Sequence, residues 1–534
     1  MLRKMTRREM LKQMAVATAG AVLAACARKT EPPPEATKPP QATATPAPTA
    51  TPVPPKEPVK ISMVEMFWGV PQDKAILDRT ARYLSEMAQA DGVNVEFSSI
   101  LLDDRNAQYP LLYASGEKFT FAFDAPWLMM NSLIDQEYLL PLEDLLPEHA
   151  PKIVEVDGED LLKANYIKDH LYGIVAWFYF NQTSGIILRE DLRLKYDVPE
   201  IGDNWDSVEP YLKAVKENEP DMIPFLVSKS GQIGFGQGDD NYNSFDAPWY
   251  NPGNKLSGCC IPNLWEATTY EDLEEQEVFV RYADLSYKWW QAGYLGELPQ
   301  GVNLTDAYNN GLAAASNNNE PDFKYAQQQP SITTEGIVLK GYDMSGQRSE
   351  RIKKNRRNRQ WNFIVFNNQA PMEESIAGLQ FFNWIYSDQS HVDAWLFGED
   401  GVDHTFGAGM TFAKVPGVEV VYRRNWFVGG VPGTLERLPE GTPQHAKDTL
   451  TFLSTPENFL FNPIEGFDPD IKPVETQHAA YVAAYPEARY PIVSGEMPTD
   501  QALANWKQVL DDAGRQVLKA EFQKQLDEWI KANL

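Results

Sequence analysis

The stretch from Val59 to Phe123 constrains the fold more than any other part of this chain. Val59-Lys60-Ile61-Ser62-Met63-Val64 alternates with a period of two and reads as a strand. Residues 73–91 then place Ile76, Leu77, Tyr83, Leu84, Met87 and Ala88 on one helical face and stop at Gly92. Val93, Val95 and Phe97 alternate again, residues 104–115 return to a helical pattern ended by Gly116, and Phe119–Phe123 is a third strand. Strand, helix, strand, helix, strand is the rhythm of a parallel, doubly wound sheet. Such sheets place ligands beyond the carboxyl ends of their strands, where Glu65–Trp68 and Asp124–Trp127 fall.

What precedes this body is an address, not part of a core. Arg3, Lys4, Arg7, Arg8 and Lys12 lead into an apolar run from Met14 to Ala25, as in an export signal. The run is too short for a bilayer-spanning helix, which needs roughly 20 apolar residues. Leu23-Ala24-Ala25-Cys26 matches the bacterial lipobox, which implies cleavage before Cys26 and lipid on its thiol. Thr6-Arg7-Arg8-Glu9-Met10-Leu11-Lys12 resembles a twin-arginine export motif, the other reading being an ordinary basic leader. Eleven of the 28 residues from Glu31 to Pro58 are proline, a polyproline II spacer reaching up to roughly 80–90 Å.

Charge narrows the partners. The 534 residues carry a net charge of −27, and the first 25 hold five basic residues and one acidic one. A mature chain more acidic still is a poor ligand for nucleic acid and for an anionic membrane surface. A lipid on Cys26, not electrostatics, is then the expected hold on the membrane. Cys259 and Cys260 are adjacent and leave two readings open. One is a strained vicinal disulfide, since neighbouring Cα atoms lie only ~3.8 Å apart; the other is two free thiols in a loop.

Further along, Leu171–Phe180 is apolar and aromatic, and Ile186-Ile187-Leu188 restarts a strand. Residues 206–217 and 271–293 read as helices, and residues 230–270, rich in Gly, Asn, Asp, Trp and Pro, as a long loop region of the kind that carries function. Ile332–Leu339 and Trp361–Phe366 read as strands, residues 372–387 as a helix, and Asp500–Asn533 as one or two amphipathic helices. Residues 348–359 hold seven basic residues and one acidic one, either a solvated hairpin tip or a docking patch.

The order of several segments is similar to a known family. Ala114-Ser115-Gly116-Glu117, Tyr138-Leu139-Leu140-Pro141-Leu142-Glu143-Asp144-Leu145, and Leu171-Tyr172-Gly173-Ile174 followed by Ile187-Leu188-Arg189-Glu190-Asp191-Leu192 come first. Asn383-Trp384-Ile385-Tyr386-Ser387-Asp388 with Gly398-Glu399-Asp400-Gly401, then Ala513-Gly514 with Glu521-Phe522-Gln523-Lys524-Gln525-Leu526, complete the set. Behind a lipobox, this resembles the extracellular solute-binding lipoproteins of bacterial ABC importers, family 1, of the larger oligosaccharide-binding type. The resemblance implies a two-lobed α/β periplasmic-binding-protein-like fold, each lobe a mainly parallel sheet flanked by helices, with ligand held in a closable cleft. The expected division is residues 1–25 signal peptide, 26–58 lipidated cysteine and linker, 59–180 plus 367–430 lobe 1, and 181–366 plus 431–534 lobe 2. Crossings are expected near Trp177–Ser184 and Asn367–Pro371. The implied partners are ABC permease subunits and a small-molecule solute, and the chain is expected to be a monomer without cofactor.

One departure bears on metal. Many relatives carry a calcium-type loop where this chain has Glu219-Pro220-Asp221-Met222-Ile223-Pro224-Phe225, without most of the oxygen ligands. Asp239-Asp240-Asn241-Tyr242-Asn243 lacks the central Gly, and Tyr250 holds its closing position. No metal is expected at either.

A sugar binder needs flat apolar faces and convergent hydrogen-bonding groups. Trp68, Trp127, Trp177, Trp249, Tyr250 and Trp426 lie at expected strand ends or in loops, with Asp124 and Asp246 as acceptors for hydroxyls. Ordinary core packing is the competing reading for any one Trp. Trp265, Trp289, Trp384, Trp506 and Trp529 are assigned to packing. Six scattered His, no His-Glu-x-x-His and no Gly-x-Ser-x-Gly give no support to an enzyme. The alternatives to import are a binding protein feeding a sensor and, behind it, an exported carbohydrate-active hydrolase with paired carboxylates.

Overall fold

A computed structural model describes residues 57–66, 70–176, 184–227, 251–252, 255–262, 268–299, 302–319, 321–344, 355–356, 360, 362–418, 420–424, 437–464 and 466–534. Ten strands build two sheets: β1 (Val59–Val64), β2 (Val95–Ile100), β3 (Phe121–Asp124), β4 (Gly173–Val175), β5 (Ser184–Arg189), β6 (Phe225–Leu226), β7 (Leu295–Gly296), β8 (Ala315–Asn319), β9 (Leu339–Asp343) and β10 (Phe363–Phe366). The first sheet has the order β2-β1-β3-β10-β4 and the second β9-β5-β8-β6-β7.

Each sheet has one strand running against the others. In the first, β1 is parallel to β2 and β3, while β10 is antiparallel to both β3 and β4. In the second, β5 is antiparallel to β8 and β9, and β8, β6 and β7 run together. The reversed strands are those that arrive from the other lobe: β5 follows β4, and β10 follows β9. A chain leaving one sheet at its carboxyl edge and entering the next from the same side must run backwards in it.

The helices follow from their apolar stripes. Helix α1 (Lys74–Ala90) buries Leu77, Ala81, Leu84 and Ala88 and is capped by the Asp73 carboxylate, which accepts from Ala75 N at 2.9 Å. Helix α2 (Arg105–Ser115) ends on Gly116 at φ 70°, a left-handed cap that glycine adopts without cost. Helices α3 (Met130–Asp135) and α4 (Pro151–Asp157) follow, and α5 (Glu277–Gln291) packs Phe279, Tyr282 and Trp289 into the core of the second sheet. Helix α6 (Met372–Ile385) covers the first sheet through Leu379, Phe381 and Phe382. Helices α7 (Glu475–Ser494), α8 (Thr499–Asp512) and α9 (Arg515–Asn533) close the chain and pack Tyr481, Trp506, Leu510, Leu518, Phe522 and Leu526 against the second sheet. Arg515, fully buried, ties α9 to Glu274 at 2.6 and 2.7 Å and to Asp511 at 2.8 Å.

Three expectations are corrected. The strand Phe363–Phe366, placed in lobe 2 by the 181–366 boundary, lies between β3 and β4 of the first sheet. The second crossing therefore falls between Met344 and Asn362, not at Asn367–Pro371, where Asn367 already pairs with Leu139 in lobe 1. The lobe 1 boundary at 430 is also too early, because Leu438–Pro439 still pairs in parallel with Thr411–Phe412, and Phe412 packs on Phe397. Of the two readings left open for Cys259 and Cys260, the structure has the free thiols. They are consecutive residues of a short strand, whose side chains point to opposite faces, and Cys259 Sγ donates to Asp272 Oδ1 at 3.3 Å. Burial pushes both thiols well above their ordinary pKa.

Of the tryptophans assigned to packing, Trp289, Trp384 and Trp506 are buried. Trp529 is partly buried against the lobe 2 core, and Trp265 lies outside the described residues.

Candidate ligand-binding site

The first two crossings connect carboxyl edges. Residue Phe363 at the start of β10 lies opposite Asp124 at the end of β3 and Val175 at the end of β4. In the other lobe, Ser184 at the start of β5 lies opposite Asn319 at the end of β8, and Gly185 opposite Asp343 at the end of β9. A Cβ on Gly185 would sit 2.1 Å from the Tyr342 carbonyl oxygen, so this entry of the chain into the second sheet requires glycine. The two carboxyl edges thus flank the connections between lobes, the location where open α/β sheets hold ligands.

Lobe 1 presents three kinds of group at this edge. Glu65, directly after β1, is buried and bound by Arg424 through two bonds of 2.5 and 2.8 Å, with Ser99 Oγ donating at 2.6 Å. The Arg424 guanidinium lies over the Trp395 ring, 3.9 Å from its centroid, and its Nε donates to Tyr422 Oη at 2.9 Å. Burial works against the Arg424 charge, but Glu65 more than offsets it and holds the pKa above the ordinary value. Glu65 therefore anchors the 420–424 segment and is not available to a solute.

Asp124, expected as an acceptor for hydroxyls, is corrected in the same way. It is 0% exposed, and its Oδ1 accepts from Ala125 N at 2.7 Å and Met129 N at 3.1 Å. Arg105 Nη2 stands 3.8 Å from Oδ2. Burial pushes this carboxyl up in pKa, against Arg105 and the two backbone N–H groups, which pull it down. Asp124 holds the turn after β3, and that turn carries Trp127.

Trp127 is the expected ligand residue that the structure places at the edge with a surface to offer. Its side chain is 50% exposed, and its indole Nε1 donates to Asn362 Oδ1 at 3.2 Å. Asn362, directly before β10, is 0% exposed, and its carbonyl accepts from Ala176 N at 2.9 Å. Gln360 beside it is also buried, its N–H donating to Asn165 Oδ1 at 2.6 Å. Neither Asn362 nor Gln360 was picked out from sequence. The available signal was a polar residue heading an all-apolar strand, where a core residue would be ordinary.

Trp68, Trp177, Asp246, Trp249, Tyr250 and Trp426 lie outside the described residues, as do Cys26 and the whole leader and spacer. Among the described residues no group of three or more His, Cys, Asp or Glu is placed to hold a metal ion. At the departed calcium-type loop, the Glu219 carboxylate accepts from Lys195 Nζ at 2.8 Å and from the Tyr196 hydroxyl. Among the described residues no helix is long and apolar enough to cross a membrane.

Comparison with known proteins agrees with this geometry. A family model described as a domain of unknown function, DUF3502, matches residues 463–531, the region of α7–α9. Over 468 residues the chain is 21% identical to a carbohydrate ABC transporter substrate-binding protein of Streptococcus pneumoniae serotype 4, covering 82% of this chain and 85% of that one. Among solved structures, the N-glycan transport solute binding protein of Streptococcus pneumoniae superposes with a TM-score of 0.69 at 16% identity, covering 89% of this chain and 99% of that one. The same protein in complex with Man1GlcNAc gives a TM-score of 0.69 at 14% identity, covering 88% and 99%. An HMO-binding ABC-transporter-associated solute binding protein of Bifidobacterium longum infantis gives 0.57 at 14% identity, covering 89% and 100%. The body of this chain has the two-lobed fold of the solute-binding proteins of bacterial ABC importers, the group that its sequence resembles.

Proposed function

We propose that this protein is the extracytoplasmic solute-binding component of an ABC import system, capturing an oligosaccharide reversibly between two hinged lobes and handing it to a membrane permease. The observation that carries this reading is the half-exposed Trp127 face at the carboxyl edge of the first sheet, beside the first two chain crossings. An indole face stacks on the C–H face of a sugar ring, and it loses little conformational entropy in doing so. The sequence similarity to a carbohydrate ABC transporter substrate-binding protein supports it, as do structural neighbours solved with Man1GlcNAc and Man5GlcNAc. The protein is a binder and carrier with no catalytic residue, acts as a monomer, and is tethered by lipid on Cys26 through the proline-rich spacer. Trp68, Trp177, Asp246, Trp249, Tyr250 and Trp426 complete the ligand set.

Calorimetry against a panel including Man1GlcNAc, Man5GlcNAc, milk oligosaccharides and alginate oligomers tests the reading. Binding of at least one glycan in the micromolar range or tighter is expected. Binding of peptides or metal ions alone would sink it. Trp127→Ala is expected to weaken glycan binding by about tenfold or more while leaving the melting temperature of the ligand-free protein within a degree or two.

A further inference from the structure

We propose that Asn362 is a positioning residue: its side-chain oxygen sets the tilt of the Trp127 ring that receives the sugar. This rests on the reading of Trp127 as a ligand platform. An indole N–H only donates, so the Asn362 atom facing it at 3.2 Å is Oδ1, and the orientation of the amide is thereby settled. The bond joins residues far apart in the chain: Trp127 on the turn after β3, and Asn362 at the point where the chain re-enters lobe 1 from lobe 2. The anchor is firm. Asn362 is fully buried, its carbonyl accepts from Ala176 N at 2.9 Å just beyond β4, and the adjoining Phe363 is in register with both Asp124 and Val175.

The Asn362 Nδ2 atom is buried and has no hydrogen-bond partner among the described residues. A residue chosen for packing alone would not carry that cost, which is absent for an apolar side chain of the same size. What the asparagine supplies in return is the acceptor for Trp127. Two supports then fix the ring: Asp124 holds the backbone of its turn, and Asn362 holds its edge. A ring held at one angle stacks on a sugar without first losing rotational freedom, which is where preorganisation raises affinity.

The test uses the full chain with 15N-labelled tryptophan side chains. The Trp127 indole resonance is identified by its disappearance in Trp127→Phe. In the ligand-free protein, Asn362→Leu is expected to shift this resonance upfield and quicken its solvent exchange, whereas Asn362→Asp, which keeps an oxygen acceptor, retains the wild-type behaviour. Against Man5GlcNAc, Asn362→Leu and Trp127→Phe should each weaken binding by about three- to tenfold, the range of one hydrogen bond, and the double variant no further than either alone. Unchanged indole exchange in Asn362→Leu, or losses that add in the double variant, would overturn the proposal. Where Asn362→Leu does not fold, full-strength binding by Trp127→Phe overturns it equally. A wild-type chain that binds no glycan refutes the functional reading instead, and the ligand-free resonances still decide whether Asn362 holds the ring.

Discussion

Asp157 ends α4 with its carboxyl buried and neither oxygen hydrogen-bonded among the described residues. Burial alone pushes its pKa up to about 8. In the unfolded chain an aspartate titrates near ~3.9. The folded state therefore holds a proton that the unfolded state releases, and between pH 4 and pH 8 stability falls as pH rises, by about 1.4 kcal/mol per unit. Below the unfolded pKa the penalty is absent; above about 8 it is complete. At pH 7 it amounts to about 4 kcal/mol. Asp157→Asn keeps the shape and removes the titration, though an unsatisfied amide there still costs about 1–3 kcal/mol at every pH. Urea unfolding of both proteins, followed by circular dichroism from pH 4.5 to pH 8, isolates the effect, since all other groups cancel in the difference. The variant should gain on the wild type by about 4 kcal/mol across that range. Parallel stability curves would refute the reasoning and would mean that the carboxylate finds a partner or water when charged.

Two further predictions concern ion pairs. Arg424→Met leaves the Glu65 carboxylate buried without its partner and should cost about 3–5 kcal/mol, whereas adding Glu65→Leu should recover most of the loss; thermal melts of the single and double variants check this. The exposed His170–Glu143 pair should act through pH. The hydrogen bond that His170 donates to the Glu143 carboxylate raises the His170 pKa, and in Glu143 burial is outweighed by that bond and by backbone N–H donors, so its pKa is lowered. The His170 contribution is present below about pH 6.5 and lost as pH rises through its folded pKa, and the Glu143 contribution is present above about pH 4.3 and lost as pH falls through its own. His170→Gln should therefore lower the melting temperature at pH 5.5 more than at pH 8.5, and an equal change at both would count against the pair.

How far the fold was legible depends on what each segment encodes locally. β1, α1, β2, α2 and β3 could be read because their apolar spacing switches between two periods within one stretch. Phe363–Phe366 could be read as a strand but not assigned to a sheet: four buried apolar residues fit any interior slot, and only the partners on either side show which lobe owns them. Helix α7 escaped because Pro486 and Pro491 interrupt it, and apolar residues on its other faces, such as the exposed Val482, blur the stripe that Tyr481, Tyr485, Ala488 and Ile492 form. What holds that helix is tertiary contact, including the Gly258 N–H bonded to Tyr481 Oη at 2.6 Å.

The site was less legible than the fold, for a related reason. Glu65 and Asp124 stand where a carboxylate would meet a sugar hydroxyl, and nothing beside them in the sequence says otherwise. Their arginines come from elsewhere: Arg424, 359 residues on, and Arg105, from the helix before the strand. A carboxylate aimed at solute and one aimed at a buried arginine look alike in sequence, because the difference is made by distant chain folded behind the strand ends. With both acids turned inward, what the described part of this edge exposes is an aromatic face, hydrogen-bonded through its indole N–H to an uncharged amide. If this face dominates capture, affinity should respond weakly to salt, since the two acids described at this edge are buried beside arginines and are not exposed charges to be screened. Titrations with Man5GlcNAc at low and high ionic strength check it; a steep loss of binding with salt would show that charged groups, not the Trp127 face, dominate capture.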